Sequence, residues 1–272
     1  MTEHKGRVLI IAGSDSGGGA GIQADIKAVT CLGGFAMTAV TAITAQNTLG
    51  VSAIHSVPLD MVRAQIKAVM GDLGADIIKI GMLGTADMVN TVRAALDDDA
   101  PHTPIVLDPV MIAKGGHPLL EDDAVESVAR VLVPRAALIT PNAPEAAHLT
   151  GIAVTSHADQ IAAGEKLLRM GAKAALVKGG HIEGAILRDV LCTHDGHATF
   201  EGARIETRAT HGTGCTLASS IAALLAQGAD LHSAILQARD YLRQAIVSAP
   251  GFGAGHGPLN HGWVVQKPAK LR

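Results

Sequence analysis

Aromatic side chains are almost missing from this sequence: Phe, Tyr and Trp together make up 2% of its residues. A chain of 272 residues with 48% apolar content must then build its core from Ala, Val, Ile and Leu. Those side chains suit close packing between parallel strands and flanking helices, and lean toward an α/β fold. Cysteine is as scarce. Cys31, Cys192 and Cys215 are far apart and odd in number, which argues against a disulfide framework and for a reducing, cytoplasmic setting. The thirteen histidines show no HExxH spacing and no CxxC pair occurs, so no zinc site is implied. No basic cluster offsets the formal charge of -3, which speaks against a nucleic-acid binder. The first apolar segment, from Val8, reaches Gly13, Ser14 and Asp15 too soon for a signal peptide or a membrane span, and no membrane partner is expected.

What the sequence has is rhythm. Short aliphatic runs at Val8–Ile11, Ile77–Ile80, Ile105–Leu107, Ala137–Ile139 and Ala174–Val177 read as strands buried on both faces. Between them Val62, Ile66, Val69 and Met70, and later Leu217, Ile221, Leu224 and Leu225, repeat at helical spacing. Strands alternating with helices predict a mostly parallel sheet with a ligand crevice at the strands' carboxyl ends. The segment Ile186–Ile205 breaks this rhythm, and Asp195-Gly196 within it predicts an antiparallel hairpin. No linker or repeat divides the chain, so residues 1–272 are expected to form a single domain. The stretch from Pro250 reads as a surface tail, and Asp97, Asp98 and Asp99 as a solvated loop.

Three constellations can carry chemistry. Gly13 to Asp25 is a glycine-rich turn from strand to helix that lacks the Lys-Ser/Thr ending of a P-loop and the third glycine of the dinucleotide pattern. A plain structural turn explains it about as well as a ligand loop. His211-Gly212-Thr213-Gly214-Cys215 directly precedes an amphipathic helix; two glycines at a helix entrance expose successive N–H groups, an arrangement suited to a phosphate. Cys215 in the first turn is expected to have its thiol pKa pulled below about 8.5 and to serve as a base, against the bland alternative of a small packing residue. Asp108, Asn142 with Glu145, and Lys178 each follow a strand and should ring one crevice, the carboxylates holding Mg²⁺ through water and the lysine meeting transferred charge. Any one of them alone would read as a loop cap or surface charge.

Taken in order, AGSDSGGGAGIQAD from Ala12, TAITAQNT from Thr41, KIGML from Lys79, LDPVMIAKGG from Leu107, TPNAPEA from Thr140, VKGGH from Val177 and HGTGCTLAS from His211 resemble the hydroxymethylpyrimidine/phosphomethylpyrimidine kinase family of thiamine biosynthesis. The resemblance runs over nearly the whole chain. It implies a ribokinase-like three-layer α/β sandwich, its mostly parallel central sheet flanked by helices, with a small antiparallel hairpin. It also implies ATP and Mg²⁺ as cofactors and a homodimer. A pyrimidine pocket would be built from Gly13, Ala20, Asp25, Gln46, Met82 and Val110. Asp108, Asn142, Glu145, Lys178 and Thr213 would lie on the nucleotide side, Gly212 to Cys215 would form the anion hole, and Cys215 would be the base. The Gln46 amide would offer a donor and an acceptor to an aminopyrimidine edge, and Asp25 would accept from its amine or hydroxymethyl group. Many ribokinase-like enzymes carry Asp where this sequence has Cys215, and a cysteine there resembles the pyrimidine kinases and some vitamin B6 kinases. The rival readings are a pyridoxal or pyridoxine kinase and a non-catalytic pyrimidine sensor; the complete set of Lys178, Gly212, Gly214 and Cys215 speaks against the sensor.

Overall fold

The computed structural model describes residues 6–112 and 119–265; residues 113–118, which include Lys114 to Gly116 of the LDPVMIAKGG motif, lie outside the described residues. In chain order the elements are β1 (Arg7–Asp15), α1 (Gly21–Cys31), β2 (Phe35–Asn47), β3 (Gly50–Ser56), α2 (Leu59–Asp72), β4 (Ile77–Ile80), α3 (Ala86–Asp99), β5 (Ile105–Leu107), α4 (Asp122–Ser127) and β6 (Ala136–Ile139). They are followed by α5 (Ala143–Thr150), α6 (His157–Arg169), β7 (Ala174–Val177), β8 (Ile186–Thr193), β9 (Gly196–Ala203), α7 (Thr213–Ala226) and α8 (Leu231–Val247). The described residues form one sheet in the order β3-β2-β1-β4-β5-β6-β7-β8-β9. The six strands from β2 to β7 in that order run parallel, with antiparallel hairpins at both margins.

Alternation along each strand sorts side chains between two helical layers. Leu9 and Ile11 join Ile78, Ile80, Val62, Val92 and Leu167 on one face, while Val8 and Ile10 join Leu176, Leu217, Ile221 and Ile235 on the other. Strands β1, β4, β5 and β7 are thus buried on both sides, which is why they read as continuous aliphatic runs rather than alternating ones. All of them point their carboxyl ends to one edge, where the turns after β1, β5, β6 and β7 gather.

The Ala- and Thr-rich run Phe35–Asn47 carries little hydrophobic contrast, yet it forms the longest strand among the described residues and pairs antiparallel with β3. Two expectations need correction. The stretch after Pro250 is no free tail. Leu259 and His261 are buried, His256 N–H donates to Thr48 O, and Gly257 O accepts from His211 N–H, so the segment braces the candidate site from behind. Asp97 to Asp99 close α3 instead of forming a loop, with Asp97 paired to Arg93 and Asp98 to Arg63.

Candidate active site

β1 continues past Gly13 to Asp15, and the chain then doubles back through Gly18 and Gly21, both at positive φ, before α1 begins. The Asp15 carboxylate fills the concavity this makes, accepting from the N–H groups of Gly17 (2.8 Å), Gly19 (3.0 Å) and Ala20 (2.8 Å). Burial alone would raise its pKa, but His211 and those amides outweigh burial and hold the carboxyl below the ordinary aspartate value. The turn's amides therefore serve an internal anion, and its phosphate-like geometry is structural.

The second glycine turn is open. Gly212 caps α7 at φ 81°, and a Cβ there would collide with Gly19 O, so only glycine fits where the two turns touch. Thr213 closes back on Thr210 through its N–H and hydroxyl, and Thr216 N–H takes Gly212 O. The amides of Gly214 and Cys215 are left without a backbone partner among the described residues, at the positive end of a 14-residue helix.

Facing them is an ion pair. Lys178 Nζ lies 2.9 Å from Asp108 Oδ1, which also accepts from Thr140 Oγ1 at 3.1 Å. A Cβ built on Gly214 would stand 3.3 Å from Lys178 Nζ and 3.6 Å from Asp108 Oδ2, so the anion turn and the ion pair share one small volume. Burial opposes both charges, yet their neighbours together outweigh it: Lys178, Lys79 and Thr140 hold Asp108 below its ordinary pKa, and Asp108, Glu145 and Cys215 hold Lys178 above its own. Beside them Asn142 and Glu145 form a capping box at the start of α5, Asn142 Oδ1 accepting from Glu145 N–H and Glu145 Oε2 from Asn142 N–H. Burial pushes the Glu145 carboxyl up to about 7, against the pull of Lys178.

Cys215 lines the same cavity, with Gly21 N–H directed at its sulfur. The expected lowering of its pKa is not found: burial pushes the thiol up to about 12, and Lys79 and Gly21 only partly oppose it. Two open amides at a helix start stabilise a thiolate less than desolvation between the carboxylates of Asp25 and Asp108 destabilises it.

The cavity measures about 690 Å³ and takes in Ala20, Gln46, Val110, Asp108, Asn142, Glu145, Lys178, Gly212, Thr213, Gly214 and Cys215 from the expected set. Gly13, Met82 and Asp25 are absent from its lining. Gly13 packs beneath, where a Cβ would come 3.0 Å from Met82 Sδ. Asp25, expected either at a ligand's amine edge or as a helix-surface charge, is wholly buried, with its carboxylate 2.9 and 3.0 Å from Lys79 Nζ and accepting from Ser219 Oγ at 2.7 Å.

Known proteins share this sequence pattern and this fold. A family model described as phosphomethylpyrimidine kinase matches residues 15–260. The chain belongs to the phosphomethylpyrimidine kinase family. A hydroxymethylpyrimidine/phosphomethylpyrimidine kinase from Haemophilus influenzae is 48% identical, over 94% of this chain and 96% of the relative. Among solved structures, the ADP complex of Bacillus subtilis pyridoxal kinase is similar at a TM-score of 0.89 and 32% identity, covering 97% of this chain and all of that one. Phosphomethylpyrimidine kinase from Clostridium difficile follows at 0.80 and 38%, covering 89% and all. The expected ribokinase-like α/β sandwich with a small antiparallel hairpin is thereby confirmed, and the β2–β3 hairpin at the other margin adds to it.

Within this kinase fold, sequence reasoning gave no role to Asp15, Lys79, His211 or Ser219. Lys79 had a visible signal, a lysine inside the otherwise aliphatic Ile77–Ile80. Its partner Asp25 is 54 residues away, and only the crossover of α1 onto the sheet brings the two together.

Proposed function

We propose that this chain transfers the γ-phosphoryl group of ATP to the hydroxymethyl oxygen of 4-amino-5-hydroxymethyl-2-methylpyrimidine, and then phosphorylates the monophosphate to the diphosphate, in thiamine biosynthesis. One observation carries the reading: the Gly214–Cys215 turn, whose two amides have no backbone partner among the described residues, lies beside the buried Lys178–Asp108 pair. Phosphoryl transfer is chiefly positioning plus stabilisation of spread negative charge, and open amides with a buried ammonium supply both. Relatives bearing the same activity name, and a bifunctional thiamine-biosynthesis protein from Geobacter sulfurreducens at 46% identity over 94% of this chain and 52% of its own length, support the substrate and pathway.

In the proposed reaction the alcohol oxygen bonds to the γ-phosphorus, the bond to the bridging oxygen breaks, ADP leaves, and the alcohol proton passes to the Cys215 thiolate. With a pKa of about 12 that thiolate is a minority species, and a strong base once formed. The Gln46 amide and Ala20 hold the pyrimidine end of the cavity, with Val110 as apolar wall, while Met82 and Gly13 shape its floor from behind and Asp25 acts through Lys79. Asn142 and Thr213 border the triphosphate, and the apolar stretch of Leu187, Ile205, Leu242 and Ile246 suits the adenine.

Asp108 and Glu145 line the same cavity and are the residues that would hold Mg²⁺ through water; among the described residues no group of three or more metal-ligating side chains is gathered, so water and phosphate oxygens would supply the rest. When bound, the ion neutralises charge on the β- and γ-phosphate oxygens. The proposed setting is the cytoplasm; no helix among the described residues is long and apolar enough to cross a membrane. A homodimer is proposed as well, on the exposure of Ile43, Leu49 and Met61 around the marginal β2–β3 hairpin.

The vitamin B6 kinase reading rests on the likeness to pyridoxal kinase, and a common panel decides between them. ATP turnover with the hydroxymethylpyrimidine, its monophosphate and pyridoxal is expected to rank the two pyrimidines first. A phosphate nucleophile needs no strong base, so Cys215→Ala is expected to slow the first phosphorylation by about 10²-fold or more and the second far less. In the wild type the first step should keep accelerating as pH rises through the neutral range, since the ionised fraction of a thiol near 12 keeps growing. Equal loss in both steps removes Cys215 from the role of base.

A further inference from the structure

The connection from β7 to β8 starts at the phosphate lysine and is long for a hairpin. Residues 178–185 join two antiparallel neighbours that about two to five residues would connect. Its first part is fixed by the sheet. Lys178 N–H donates to Pro141 O at 2.8 Å, and Gly179 N–H to Asp189 Oδ1 at 2.8 Å. Asp189 is itself buried and paired with Arg239. Ile182 N–H then returns to Gly179 O at 3.0 Å and closes a turn around Gly180 and His181.

The rest of the loop is organised from the neighbouring strand. Arg204 directly follows β9, and its guanidinium donates to three loop carbonyls: Nη1 to Gly180 O at 3.0 Å, Nη2 to Ile182 O at 2.5 Å and Nε to Gly184 O at 2.9 Å. The Arg204 backbone N–H adds a fourth bond, to Ala185 O at 2.9 Å. Every donor is an N–H of Arg204 and every acceptor a carbonyl oxygen, so the direction of each bond is fixed by the groups themselves. Alternate carbonyls of one short segment thus converge on a single planar cation. Turned to one side, they repel one another unless donors stand between them, and one backbone N–H cannot serve three. A guanidinium can, because its N–H groups fan out in one plane, whereas a lysine ammonium is a point charge on a flexible stem.

This loop belongs to the nucleotide end of the site. Gly180, His181 and Arg204 line the same cavity as Lys178, at the phosphate, and Leu187 and Ile205, proposed above for the adenine. In sequence the loop joins those two groups, leaving β7 at Lys178 and entering β8 at Ile186, next to Leu187.

We infer that Arg204 is a positioning residue for the nucleotide: by clasping the carbonyls of Gly180, Ile182 and Gly184, its guanidinium shapes the loop after Lys178 into a wall of the ATP end of the cavity. The inference rests on the reading of that end as the ATP end, and deepens it by naming the residue that builds the wall. Lys178 and Gly179 have anchors of their own in Pro141, Asp108 and Asp189, so loosening the clasp leaves the phosphate lysine in place. The cost therefore falls on ATP affinity and not on the transfer step.

The test uses full-length Arg204→Ala and Arg204→Lys, with kcat, the KM for ATP and the KM for the hydroxymethylpyrimidine measured separately. Thermal unfolding and amide hydrogen exchange over residues 180–185, without nucleotide, are followed for each variant. Loss of the charge-assisted bonds predicts an ATP KM about tenfold higher in Arg204→Ala, with kcat and the pyrimidine KM within about twofold of wild type. Exchange should quicken over the loop alone. Arg204→Lys keeps the charge but not the fork; it should be nearly as impaired, and carries the test if the alanine variant does not fold. A lysine variant with the wild-type ATP KM overturns the inference, because positive charge near the nucleotide then suffices without the clasp. So does loop exchange unchanged in both variants, or a kcat that falls while the ATP KM holds. Those three results leave ATP at this end of the cavity. A loosened loop that raises the pyrimidine KM and spares the ATP KM overturns that placement and the inference with it.

Discussion

Lys79 is the largest fully buried side chain of the described residues, and the carboxylate paired with it is that of Asp25. Burial pulls its pKa down, but Asp25, together with Cys215 and Asp108, more than offsets that and keeps the ammonium charged. Removing one member of such a pair leaves the other uncompensated in a low dielectric, so Lys79→Met is expected to destabilise the fold by about 3–5 kcal/mol in urea unfolding. Neutralising the orphan as well, in K79M/D25N, should return part of that loss. Glu145 gives the second test at this scale. Its carboxyl keeps its proton up to about 7 in the fold, against an ordinary value of 4.5. Between those values the folded state holds the extra proton, so this group makes stability fall as pH rises. His261, lowered by burial from 6.5 to about 4, acts in the opposite sense over the same range, which is why the wild-type curve alone reveals neither. The difference between wild type and Glu145→Gln isolates the first: from about pH 4.5 to 7.5, without metal, the wild type should lose on the order of 3 kcal/mol relative to the variant. Asn142 and Glu145 were legible in the sequence because they directly follow the aliphatic run Ala137–Ile139; that they cap α5 together is seen only in the structure. The pKa of Cys215 was not legible, since it depends on Asp25 and Asp108, which folding brings from distant parts of the chain.

Between elements, the contact that matters most is backbone against backbone. Gly212 caps α7 at positive φ with Gly19 O standing where a side chain would begin, whereas Gly214 lies inside the helix and faces the flexible end of Lys178. Gly212→Ala meets strain and an immovable carbonyl and should disorder the anion turn, lowering kcat by about 10²-fold or more, the effect of losing an oxyanion donor. Gly214→Ala asks only that an ammonium move aside and should be several times milder by the same assay. The contrast shows why the parallel strands and α7 were readable while the turn contacts were not. Burial on both faces leaves an aliphatic run in β4, β5 and β7, and a helix facing the sheet leaves the spacing of Leu217, Ile221 and Leu224. Glycine spacing around Thr213 marks a turn, but nothing local says that its partner is Gly19, 193 positions earlier, or that the first turn folds around Asp15 instead of a ligand. The β2–β3 hairpin has a different reason: its weakly patterned residues sit at the sheet margin, where β2 is buried only at alternate stretches and β3 not at all.

At the scale of the whole molecule that margin is one of the sheet's two open edges, the other being β9. Strand β3 is the outermost, exposed over most of its length, and beside it Ile43, Leu49 and Met61 are 55, 69 and 53% exposed. An open strand edge next to clustered apolar side chains invites pairing, and a second copy of the chain covers it without leaving a further edge exposed. The hairpin also carries Gln46, whose backbone is pinned to Ser16 of the first glycine turn by reciprocal bonds of 2.8 Å. Covering the hairpin therefore steadies the pyrimidine end of the cavity while leaving the phosphate end, built on β5 to β7 and α7, untouched. Ile43→Lys places a charge on the outward face of β2, away from the inward Thr44. It should shift the chain from dimer to monomer in light-scattering chromatography at micromolar concentration and raise the pyrimidine KM severalfold, with the ATP KM unchanged. A monomeric wild type would instead assign the exposed patch to the hairpin alone, and a dimer that survives the lysine would move the interface elsewhere on the surface.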